Sequence, residues 1–164
     1  MSKLLTEFSG NRLYLDTMVP YALLRGLEST AQRLFERIHA GEIVAYSSVL
    51  TFDELAYRLL LALIKDQYQK SPLDRLRADE EGMISLFYPR IAPKLTQLRN
   101  FPNLNLVDVT PPDIEAMSKA MLQYHLRPRD ALHLVAMQKS QCWELVSNDA
   151  GFDRVPTVQR YVLT

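Results

Sequence analysis

The chain has 164 residues, 48% of them hydrophobic, which supports a real core and predicts a single domain over 1–164. Nineteen Lys and Arg balance nineteen Asp and Glu, so the zero net charge excludes the strongly basic signature of a passive nucleic-acid coat but not a local basic patch. Cys142 is the one cysteine, which excludes an internal disulfide and fits a reducing cytoplasm.

At the N-terminus "MSKLLTEFSGNRLYLD" has no long apolar centre of the kind a signal peptide needs. "RLYLD" (12–16) reads as a short buried strand. A helix is expected from Val19 to Arg25, with Pro20 tolerated in its first turn. A second runs from Glu28 to Ala40 and stops at Gly41. "IVAYS" (43–47) is the next strand, rich in β-branched and aromatic residues. A long helix follows from Ser48 to about Gln69. Its apolar run "LLLALI" (59–64) is far short of the roughly 18 residues that suggest a membrane span, and no membrane association is expected. "SPLD" (71–74) breaks the pattern. Helical patterning resumes from Leu73 towards Asn100, where Pro89 and Pro93 are expected to kink or split it. "NLVDV" (105–109) is a third strand, 111–125 and 127–141 are helices, "WELVS" (143–147) is a fourth strand, and "TVQRYV" (157–162) is a short fifth. Strands alternating with helices predict an α/β fold with a central parallel sheet of four to five strands. Residues 65–103 are the least sheet-like and read as a helical arm within the domain.

Acids recur near strand and helix ends. Asp16 closes the first strand, Glu54 lies early in the helix after the second, Asp130 lies in a first helical turn, and Asp149 follows the fourth strand. Each has a plain structural reading: an N-cap for Asp16, a capping box of Glu54 with Thr51, a helix dipole for Asp130, a turn for Asp149. Asp108 and Asp113 fit such readings best. The set of four fits them less well. Ligands of open α/β sheets bind beyond the carboxyl ends of the strands. Clustered carboxylates there repel unless a cation joins them, and oxygen ligands suit Mg²⁺ or Mn²⁺. His39, His125 and His133 are too scattered for a zinc site, and there is no phosphate-binding glycine loop or serine nucleophile elbow.

The segments "LYLDTMVPYALL", "SSVLTFDELAYRL", "LRPRDALHLVAM" and "ELVSNDAGFDRV", in that order, resemble the PIN domain family, and within it the VapC-type toxins of toxin–antitoxin modules. The resemblance implies a three-layer α/β/α fold and a metal-dependent ribonuclease. Its catalytic acids would be Asp16, Glu54, Asp130 and Asp149, and the same four, joined by Asp153, would hold Mg²⁺ or Mn²⁺ and activate a water. Ser147 and Thr17 match hydroxyl residues beside the metal, while Met18 stands where many members carry a polar residue. The products would be a 5′-phosphate and a 3′-hydroxyl. The resemblance also implies an RNA substrate, a cognate antitoxin partner and a homodimer. A non-catalytic scaffold or RNA-binding module, or a housekeeping RNA-processing nuclease, stays open beside it.

Arg127 and Arg129 flank Asp130 and are candidates for holding RNA phosphates, or are two solvated arginines before a helix. In the arm Lys65, Lys70, Arg75, Arg77, Arg90, Lys94 and Arg99 form either a grip on RNA or antitoxin, or a solvated charged face. Tyr57, Tyr68, Phe87 and Tyr88 are read as core or interface residues rather than base-stacking platforms.

Overall fold

The computed structural model of the chain describes residues 2–69 and 71–164; Lys70, one of the arm cations, lies outside them. Strands β1 (Lys3–Leu4), β2 (Arg12–Leu15), β3 (Val44–Ser48), β4 (Leu104–Val107), β5 (Glu144–Val146) and β6 (Gln159–Val162) form one sheet. Their order is β1–β6–β5–β2–β3–β4, and every pairing is parallel. The sheet therefore has one strand more than the four to five expected. The extra strand, β1, is two exposed residues paired with Tyr161 and Val162 and has no apolar run to announce it.

Helices α1 (Met18–Arg25), α2 (Ser29–His39), α3 (Leu50–Tyr68), α4 (Pro72–Ala78) and α5 (Glu80–Arg99) precede β4, and α6 (Asp113–Tyr124) and α7 (Pro128–Ser140) follow it. α1 ends at Gly26, whose φ of 63° is the left-handed turn that glycine adopts without a Cβ penalty.

Alternation along β2 assigns its side chains to two cores. Leu13 and Leu15 join Val19, Leu34, Ile38, Leu55 and Ile64 under the first five helices. Tyr14 points the other way, into Met137, Leu145 and Phe152. Burial on both faces is what a parallel sheet covered by helices requires.

The arm departs from expectation at its prolines. α5 runs unbroken through Pro89 and Pro93. An interior proline costs a helix about 3 kcal/mol. Both rings lie on the exposed face, four residues apart, while Met83, Phe87, Ile91 and Leu98 bury the opposite face and offset that cost. The break falls at Asp79 instead. Its backbone leaves the helical region, and its Oδ1 accepts the Gly82 N–H at 3.0 Å to begin α5. Of the arm's aromatics Phe87 is fully buried, Tyr68 packs against the core, and Tyr57 and Tyr88 are exposed.

Among the described residues no helix is long and apolar enough to cross a membrane.

Candidate functional site

The chain leaves β2 through α1 and α2 on one face of the sheet and enters β5, on the other side of β2, from α6 and α7 on the opposite face. The carboxyl ends of β2 and β5 thus form the switch point where open α/β sheets bind ligands. Four of the expected acids gather there.

Asp16 is the first residue beyond β2, and its N–H is pinned to Val146 O at 3.1 Å. Its Oδ1 accepts the Thr17 N–H at 2.7 Å, and its Oδ2 accepts the Ser147 hydroxyl at 2.6 Å. It does not cap α1, whose cap residue is Thr17. The Thr17 hydroxyl donates to Glu54 Oε2 at 3.2 Å and so ties the first acid to the second. No capping box joins Glu54 to Thr51, whose hydroxyl bonds Ser47. Ser147 also accepts the Asp149 N–H at 3.0 Å, and Asp149 Oδ1 accepts the Gly151 N–H at 2.7 Å to start a short 3₁₀ turn. Thr17 and Ser147 are almost wholly buried, so these two hydroxyls are fixed in place.

Asp130 reaches the same place from the first turn of α7. Burial pushes its carboxyl above the usual range. The hydrogen bond from Arg127 opposes that shift, and the charges of Asp149 and Asp16 add to it. Arg127 bridges two acids, with Nε to Asp130 Oδ2 at 3.0 Å and Nη2 to Asp149 Oδ2. Arg129 binds Asp53 at 2.9 Å and approaches Glu54 at 3.8 Å; Arg58 approaches the other Glu54 oxygen at 4.0 Å.

Beneath these acids lies a buried pair that the sequence reading missed. Tyr14 Oη is 2.9 Å from His133 Nδ1. Burial and then the Asp16 charge push the phenol well above its usual range, and the Ser48 backbone N–H bonds its oxygen. The other ring nitrogen, Nε2, faces Asp16 Oδ1 at 3.8 Å. His133 lies three residues after Asp130, on the same helical face, which is the signal that could have found it.

Asp153 is placed differently from the other expected metal-site acids. Arg160 holds both its oxygens, at 2.8 and 2.7 Å, and lowers its pKa. Arg160 is buried and also donates to Ser147 O at 3.1 Å. Asp153 is thus the counter-ion of a buried arginine that braces Ser147. An arginine in the short apolar strand "QRYV" was the visible sign of it. Asp113, by contrast, has the structural role expected: its Oδ2 accepts from Lys139 and Thr110.

Among the described residues no three His, Cys, Asp or Glu side chains stand close enough, as placed, to hold a metal ion together. Arg127 lies between two of the expected ligands. The donor chemistry nevertheless fits a hard cation: the converging groups are carboxylates, and the charges of Asp149 and Asp16, which add to the effect of burial on Asp130, are what a cation relieves.

A model of the PIN domain matches residues 13–158. The fold is similar to "Crystal structure of VapBC2 from Rickettsia felis bound to a DNA fragment from their promoter", with a TM-score of 0.59, 14% identity, and coverage of 92% of this chain and 98% of that one. It is also similar to "Toxin-antitoxin complex from Klebsiella pneumoniae", with a TM-score of 0.53, 17% identity, and coverage of 89% and 94%. No curated protein matches the chain.

Proposed function

This chain belongs to the PIN domain family, and from that premise we propose that it is a metal-dependent ribonuclease of the VapC-like toxin type. One observation carries the reading: Asp16, Glu54, Asp130 and Asp149 come from distant parts of the chain to one strand edge, where Thr17 and Ser147 tie Asp16 to Glu54 and to Asp149 and Arg127 ties Asp130 to Asp149. The oxygens of these four would hold Mg²⁺ or Mn²⁺. When bound, such an ion lowers the pKa of a water and offsets charge on a phosphate.

The chain's own residues do the rest. Ser147 and Thr17 fix both oxygens of Asp16, and the His133 ring faces the same carboxylate. Glu54 is the acceptor for the proton of the attacking water, at a place where Thr17 orients it. Arg129 grips a phosphate of the strand, and Arg127 exchanges its two carboxylates for another. Asp153 acts on the site through Arg160 and Ser147. The products are a 5′-phosphate and a 3′-hydroxyl. The partners are an RNA substrate, a cognate antitoxin and a second copy of the chain, and the place of action is the cytoplasm.

The test is cleavage of structured and unstructured RNA by the purified protein with Mg²⁺, with Mn²⁺ and with EDTA. Cleavage that persists unchanged in EDTA sinks the metal mechanism. Induced expression should arrest growth, and co-expression of an antitoxin from a neighbouring small reading frame should restore it. Growth without arrest assigns the chain to housekeeping RNA processing instead. The Arg127 bridge favours a second reading, a PIN-like module that binds RNA without cutting it; RNA binding with no cleavage in either metal selects it.

A further inference from the structure

The seam between α1, α3 and α5 carries charge that the carboxylate cluster does not use. Arg25, at the end of α1, holds Asp66 through two bonds, Nη1 to Oδ2 at 2.6 Å and Nη2 to Oδ1 at 3.2 Å. The pair lines a cavity of about 370 Å³ with Arg90 and Lys94 over an apolar floor of Leu59 and Ile91. Arg90 and Lys94 are one helical turn apart, exposed, and without an ion pair among the described residues. Lys65 also acts on Asp66. The cavity walls thus present three cations against one carboxylate in a chain of zero net charge.

This cavity is connected to the acids by direct contacts. Arg58 Nη1 is 4.0 Å from Glu54 Oε1, and its guanidinium lies over the Tyr21 ring at 4.4 Å. Tyr21 in turn interacts with Arg25, one turn further along α1. From Glu54 to Asp66 along α3 is about 18 Å at 1.5 Å per residue. A stacked strand covers that distance in about five nucleotides at a rise of 3.4 Å.

We propose that the Arg25–Arg90–Lys94 cavity binds a backbone phosphate of the RNA strand, about five nucleotides from the bond that is cut. Arg58 and Tyr21 guide the strand between the two places. The proposal rests on the ribonuclease reading above. Guanidinium forks and an ammonium suit phosphate oxygens, carry no base preference, and release counterions on binding.

The test uses the full chain in EDTA, so that binding is read without cleavage. Fluorescein-labelled single-stranded RNAs of about 3 and about 12 nucleotides are titrated by anisotropy against wild type and an Arg90→Gln, Lys94→Gln double variant. Both substituted side chains are exposed, and thermal melts check that the variant folds. The expected result is roughly tenfold weaker binding of the 12-mer, with the 3-mer moved less than about twofold. The slope of log K against log salt should become shallower by about 0.7, for one lost phosphate contact on a single strand. Equal binding of the 12-mer by both proteins overturns the proposal alone and leaves the ribonuclease reading standing if wild type cuts RNA in Mn²⁺. Wild type that neither binds nor cuts either RNA overturns both. Unchanged RNA binding with lost binding of a poly-glutamate peptide assigns the cavity to an acidic protein segment and also overturns it.

Discussion

The two ends of α3 carry opposite ion chemistry. Its N-terminal end supplies Glu54 to a cluster in which acids converge, whereas its last turn places Asp66 among cations. A zero net charge conceals both. At the first end the acids come from two strand ends and two helices, and buried hydroxyls hold Asp16 and Glu54. At the second end long side chains from three helices meet at the surface with no such bracing. A braced cluster is suited to chemistry that depends on sub-ångström placement. An unbraced one is suited to holding a strand by charge, in a way that salt weakens.

The largest expected effect lies at the braced end. Asp16→Asn keeps the shape of the side chain and removes its charge. Cleavage in Mn²⁺ should fall by at least about 10²-fold, the usual scale for losing one charge-stabilising group at a reacting centre. Circular dichroism should stay native. A variant that cuts at the wild-type rate would erase the distinction between the two ends.

Metal binding is next in size. Mn²⁺ at about 100 times its Kd should stabilise the folded chain by about 2.7 kcal/mol, or roughly 5–10 °C in Tm for a protein of this length. Arg127→Gln should reach the same plateau at a lower Mn²⁺ concentration, because no guanidinium has to leave Asp130 and Asp149. An unchanged midpoint would show that Arg127 does not compete for the site.

How much of this was legible in the sequence depends on the kind of signal. Asp16 and Asp149 stand where apolar runs stop, and such an interruption is visible in one dimension. Their bracing was visible only in part: Thr17 follows Asp16 and Ser147 lies two residues before Asp149, whereas the Ser147 bond to Asp16 spans 131 positions and the Thr17 bond to Glu54 spans 37, and Tyr14 and His133 meet across 119. The Arg25–Asp66 contact spans 41 positions, so the arm's cations read as an undivided solvated face. Local rules also failed in the arm. Pro89 and Pro93 promised a break that burial of the opposite face overrode, and Asp79 made the break through a cap that only its backbone geometry reveals. β1 has two residues and no pattern to read.

A smaller effect separates two carboxylates within the braced end. Asp130 has a raised pKa and Asp153 a lowered one. The lowered group contributes stability that is present above the unfolded value, near 3.9, and is lost as the pH falls through its folded pKa. The raised group works the other way: it costs stability above its folded pKa, and the cost fades as the pH falls towards 3.9. Without metal, Asp130→Asn should therefore melt higher than wild type at pH 7, by about 0.5–2 kcal/mol, a trade of stability for function. Asp153→Asn should melt lower at pH 7, since buried Arg160 loses its counter-ion, and should flatten the loss of stability below pH 4. Matching shifts in both variants would mean that the two acids share one environment.

The smallest effect on stability, and the finest probe of the comparison, is at the other end of α3. Asp66→Asn removes the one carboxylate in the cationic cavity. Asp66 and Arg25 meet in partial exposure, where screening and side-chain entropy leave an ion pair little net weight. The melting temperature at 0.15 M salt should therefore stay within error of wild type. Binding should respond more than stability, because Arg25 then has a free fork and the cavity has a larger positive excess. In EDTA the 12-nucleotide RNA should bind severalfold tighter at low salt, with a steeper salt dependence. Weaker binding would mean that Asp66 is needed to aim Arg25. The cationic end would then be braced as well, by a carboxylate in place of hydroxyls, and the contrast between the two ends would reduce to the sign of their charge.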